Sequence, residues 1–97
     1  MTFENLKFER TSGGWRSQTD LDNGFKVSVV AGVFAYSTPR EDLSDPQEYS
    51  AYEIAIFDSE GEWATRKFVP DHYDDVIGYL SKEDISSLIS KVTEHVS

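Results

Sequence analysis

Apolar and polar positions alternate with a period of two along most of the chain and switch to a helical period only near its end. Phe25, Val27 and Val29 fall on one side of an extended segment, with Lys26 and Ser28 on the other. Asp22-Asn23-Gly24 precedes that run, and Asn-Gly between extended segments signals a hairpin closed by a type I′ turn, with positive φ at both central residues. Tyr52, Ile54 and Ile56 alternate in the same way with Glu53, Ala55 and Phe57. Ser59-Glu60-Gly61-Glu62 then reads as a second hairpin turn, and residues 63–69 as its returning strand, ended by Pro70, which has no donor for a ladder. Phe3, Leu6 and Phe8 suggest a short leading strand or extended arm that stops at Gly13-Gly14.

The last third changes period. Asp74-Asp75 ahead of Val76-Ile77-Gly78-Tyr79-Leu80 reads as a short helical turn with an acidic start. Ser81-Lys82-Glu83-Asp84 is a variant capping box, and Ile85, Leu88, Ile89 and Val92 follow at offsets of 3, 4 and 7. A helix over residues 82–95 is expected. Strands first and helix last predict an α+β domain: an antiparallel sheet of about four strands in two hairpins, with the C-terminal helix packed on one face. Residues 36–50 carry Pro39, Pro46 and no sustained period, which makes them a long loop.

Size and charge narrow the picture. At 97 residues and 11.0 kDa the chain is read as one domain, and 38% hydrophobic with 13% aromatic residues is too much for a disordered acidic tail. Eighteen Asp and Glu face nine Lys and Arg, and residues 41–62 hold eight carboxylates with no basic residue. Such a field repels nucleic-acid phosphates and anionic lipid, so direct nucleic-acid and membrane binding are not expected, and basic protein surfaces are. The absence of cysteine fits a reducing compartment, the N-terminus lacks a signal-peptide pattern, and no apolar run approaches a bilayer span. The expected location is cytoplasmic.

Candidate chemistry is sparse. His72, beside Asp71, Asp74 and Asp75, is the one segment that resembles an acid–base or metal constellation, but it has no second ligand-bearing segment. A metal-dependent enzyme is the weakest of three readings, and no catalytic residue, metal site or cofactor is assigned. His95 is placed in the final turn of the helix, where an imidazolium suits the C-terminal dipole. The six glycines form no phosphate-cradling loop. Tyr36, Arg40, Tyr49 and Tyr52 border the acidic loop, and with Asp42, Asp45 and Glu48 they make the expected protein-binding surface. Trp15-Arg16 and Trp63 with Arg66 combine π faces and guanidinium groups, the alternative surface for a nucleotide-type ligand, which would call for a homo-oligomer with an aromatic–arginine pocket.

The blocks Met1 to Phe8, Asp22-Asn23-Gly24-Phe25-Lys26-Val27-Ser28-Val29-Val30, Tyr52 to Ile56 and Asp74-Asp75-Val76-Ile77-Gly78-Tyr79-Leu80 resemble, in that order, a family of small uncharacterised tailed-bacteriophage proteins. The loop between Tyr36 and Tyr49 is longer and more acidic than the family pattern. The resemblance implies a non-structural product made in an infected bacterium, of a kind that binds and inhibits or modulates host or defence proteins, and the lack of a catalytic constellation in the residues adds the expectation that it is not an enzyme. It carries over no catalytic residues. A protein that sequesters a nucleotide-type immune signal is the alternative.

Overall fold

The computed structural model describes residues 2–70 and 74–95. Five strands form one antiparallel meander: β1 (Glu9–Thr11), β2 (Gly14–Asp20), β3 (Lys26–Gly32), β4 (Tyr52–Phe57) and β5 (Val76–Leu80), in the spatial order β1-β2-β3-β4-β5. A single helical turn, α1 (Thr65–Phe68), lies between β4 and β5, and α2 (Lys82–Thr93) follows the sheet. The class is α+β as the periodicity predicts, with five strands rather than four.

Register explains the core. Val27 faces Ile56 and Val29 faces Ile54 across β3 and β4, so the alternating apolar residues of both strands meet on one face. α2 lays Ile85, Leu88, Ile89 and Val92 against that face, and all four are buried. Each such side chain removed from water is worth about 1.5–3 kcal/mol, which makes this layer the main source of stability. Ser81 opens α2 as read from the sequence: its hydroxyl accepts from Asp84 N at 3.1 Å, and Asp84 Oδ2 accepts from Ser81 N at 3.4 Å.

Four local expectations are corrected. In the β2–β3 turn only Gly24 has positive φ, at 91°, so the turn is not type I′. Gly24 N donates to Leu21 O at 3.1 Å and Leu21 N to Phe25 O at 2.8 Å, the pattern of a type I turn followed by a left-handed glycine. Asn23 is drawn away by a tertiary bond: its Nδ2 donates to Val92 O at 2.7 Å and to His95 O at 3.2 Å, adding a donor to carbonyls at the end of α2. Residues 63–69 do not return as a strand. Pairing stops at the Phe57–Trp63 bridge, and the chain turns into α1.

The place beside β4 is taken by β5, with Ile54 opposite Ile77 and Ala55 opposite Val76. Residues 76–80 are therefore strand, not a helical turn, because a five-residue apolar run rich in β-branched and aromatic side chains fits a pleated surface once an open edge is offered. The C-terminal helix ends at Thr93, before His95. The His95 ring instead packs edge-on against Phe25 and Phe68, at centroid distances of 5.4 and 5.2 Å. Among the described residues no helix is long and apolar enough to cross a membrane.

Candidate functional site

The acidic segment between β3 and β4 is an ordered loop held from beneath by side chains of the sheet. Arg10 on β1 grips Asp42 with both terminal nitrogens, at 2.7 and 3.1 Å, and donates to Leu43 O at 3.3 Å. Its guanidinium lies 4.8 Å from the centroid of Trp15, whose indole Nε1 donates to the same Leu43 O at 2.9 Å. The hydrogen bonds from Arg10 hold the Asp42 carboxyl below the usual aspartate range and raise the guanidinium in turn. Thr38 bridges to Ala51 and closes the base of the loop.

Two of the expected contact residues do a different job. Tyr49 and Tyr52 are buried, at 2% and 0% exposure, so neither offers a ring to a partner. The Tyr49 hydroxyl donates to Glu41 O at 2.6 Å and accepts from Leu43 N at 3.0 Å, while the Tyr52 hydroxyl donates to Pro46 O. Their rings belong to the core, and their polar ends fix the loop backbone. Burial first, then the charges of Asp45 and Tyr49, push the Tyr52 hydroxyl up to about 12. Asp45 caps the 3-10 turn Pro46–Glu48 by accepting from Gln47 N at 2.8 Å, and Lys82 Nζ donates to Gln47 O at 2.8 Å. What remains facing water is a row of carboxylates at Glu41, Asp45 and Glu48.

Tyr36 and Arg40 do come together, with the guanidinium 5.4 Å from the ring centroid. Tyr36 lies against β4 and β5, while Arg40 directly precedes Glu41 at the start of the carboxylate row. Tyr36 N donates to Glu53 Oε1 at 3.2 Å, and Tyr36 O accepts from Tyr79 N at 2.9 Å. The Tyr36 and Tyr79 rings are 6.1 Å apart and about half exposed. Gly78 permits this approach, since a Cβ there would lie 2.4 Å from Tyr36 Cβ. Sequence reading missed Tyr79 and Asp74 as surface partners of Tyr36. The signal available was the glycine inside an apolar run, which marks a bulge or a close neighbour.

The two alternative aromatic–arginine pairs differ in outcome. Trp15 and Arg16 are successive residues of β2 on alternate faces of the strand, and both border an open cavity of about 220 Å³ with Gly13, Gly32 and Phe34. Trp63 and Arg66 line one cleft of about 380 Å³, together with Lys67 and Phe25. Asp58, Glu62 and Asp75 share that cleft, and Asp75 lies 3.7 Å from Arg66, so its field offers a phosphate no net positive charge. No group of three or more Asp, Glu or His side chains is placed to hold a metal among the described residues, and His72 lies outside them. Three ion pairs occur among the described residues, Arg10–Asp42, Lys26–Asp20 and Arg66–Asp75, so most carboxylates are left facing solvent.

Fold and surface define a small α+β domain with an open acidic loop and, among the described residues, no deep enclosed site. The chain matches no known protein family, no curated protein and no solved structure.

Proposed function

We propose that this is a phage-encoded, non-enzymatic binding protein that presents a preorganised acidic surface to a basic face of a host or defence protein and so inhibits or modulates it. The observation that carries the reading is the anchoring of the loop. A solvated acidic tip needs no buried tyrosines beneath it, yet Tyr49, Tyr52, Trp15 and Arg10 all bond its backbone or Asp42. A charged surface held in one shape before contact loses less entropy on binding, and that raises affinity without new contacts. Asp42 belongs to the anchor, so the contact is assigned to Glu41, Asp45 and Glu48.

The test is the triple variant Glu41→Gln, Asp45→Asn, Glu48→Gln, in which the asparagine replacing Asp45 keeps the capping chemistry. Tagged wild-type protein recovered from bacterial lysate and weighed by native mass spectrometry should carry a stoichiometric basic protein. The variant should show the same circular dichroism and lose that protein. Equal capture by both would sink the reading.

A further inference from the structure

We propose that the cleft between Tyr36 and Tyr79 seats one arginine side chain of the basic partner. This rests on the reading that the partner is a basic protein and adds to it a specific subsite built from residues other than Glu41, Asp45 and Glu48.

The cleft measures about 280 Å³ and is lined by Tyr36, Asp74, Val76, Gly78 and Tyr79. Among the described residues its lining has two rings, one carboxylate and no cationic side chain. Tyr36 and Tyr79 are 48% and 57% exposed, in a chain whose other tyrosines in the core are at 2% or below. Glu53 adds a second carboxylate, held beside the cleft by the bond from Tyr36 N. Rings flanked by carboxylates attract a cation through the quadrupole of the rings and the charge of the acids together. Arginine suits the arrangement better than lysine, because a planar guanidinium can lie on a ring while its N–H fork meets a carboxylate. The chain already shows that Tyr36 accepts a guanidinium: Arg40 lies over its ring at 5.4 Å and is not part of the cleft lining. The net charge of −9 supplies the long-range part of the same complementarity.

The backbone points the same way. Tyr79 has φ of 60°, the single non-glycine residue with positive φ among those described. It lies in the irregular stretch of β5 where register with β4 shifts between Tyr52 and Ile54. Bulges re-aim a side chain, and unfavourable backbone conformations concentrate at binding sites. Here the bulge turns an aromatic residue of β5 outward, beside Tyr36. Nothing in the core needs that ring.

The probe is an acetylated, amidated peptide alternating arginine and glycine, with lysine and glutamate versions for comparison, titrated into the full chain. Tyrosine ring signals and backbone amides are followed by NMR. Saturable shifts of the Tyr36 and Tyr79 ring signals are expected with the arginine peptide, smaller ones with lysine and none with glutamate. Tyr79→Asn keeps a residue that tolerates positive φ, and it should weaken arginine-peptide binding by about tenfold, between the values for an exposed and a desolvated cation–π contact. Asp74→Asn should weaken it in the same direction. Unmoved tyrosine signals alongside shifts at residues 41–48, or wild-type affinity in Tyr79→Asn, would overturn the subsite and leave the acidic-surface reading standing. No saturable binding at either place would overturn both.

Discussion

Tyr52 shows how one residue serves two layers. Its ring stacks with Phe3 and Tyr49 in the core, at 4.8 and 5.8 Å, while its hydroxyl reaches the backbone of the acidic loop at Pro46. Burial, followed by the charges of Asp45 and Tyr49, raises that hydroxyl from 10.0 to about 12. In the unfolded chain the phenol ionises first, so the contribution of Tyr52 to stability is complete below pH 10 and is lost as pH rises toward 12. Denaturant midpoints measured across that window should fall in the wild type, and Tyr52→Phe should flatten the slope. A slope identical in both proteins would mean that other groups set the alkaline limit.

At the scale of elements, the decisive junction is Thr65 at the start of α1. Its buried hydroxyl accepts from Ile56 N at 2.9 Å and donates to Asp75 O at 2.5 Å, linking β4 to the residue that leads into β5. One side chain thus stands in for a stretch of ladder that the backbone abandons after Trp63. Thr65→Val keeps the shape and leaves the buried Ile56 amide without its partner and the half-buried Asp75 carbonyl without this donor, which costs about 1–3 kcal/mol. Urea unfolding should show a lower midpoint with an unchanged slope, and Thr65→Ser should recover most of the loss. Equal stability of the valine and wild-type proteins would show that the junction is held by packing alone. Leu21, Asn23 and Gly24 form a comparable joint at the same end of the sheet, where the turn between β2 and β3 serves α2.

For the molecule as a whole, charge acts in two directions. A net charge of −9 with few internal ion pairs pushes the folded chain apart while it draws a basic partner in. Salt screens both effects, with a Debye length of about 8 Å under physiological conditions. Raising salt from low concentration to about 0.5 M should therefore raise the thermal midpoint of the free protein and slow its association with the captured partner. Scanning calorimetry and association kinetics read the two arms separately. A rate insensitive to salt would assign the contact to an apolar surface instead.

By itself the sequence determined the class, the start of α2 and the core faces of β3 and β4, because each depends on spacing within a few residues. Ile85, Leu88, Ile89 and Val92 share a helical face whatever lies opposite, and Val27 and Val29 share a strand face in the same way. Loop 36–50 was legible as irregular and acidic, but the inward turn of Tyr49 and Tyr52 was not, since a tyrosine beside a loop has the same local pattern whether its ring is inside or out. Tertiary structure decided which segment pairs with β4, how the Asn23 turn is built, and which aromatic residues reach the surface. Those outcomes rest on partners many residues away: Arg10 for Asp42, Val92 for Asn23, Tyr36 for Tyr79. Local spacing carries no information about them, because a free hydrogen-bonding edge or an unpaired carbonyl exists only after the rest of the chain has folded.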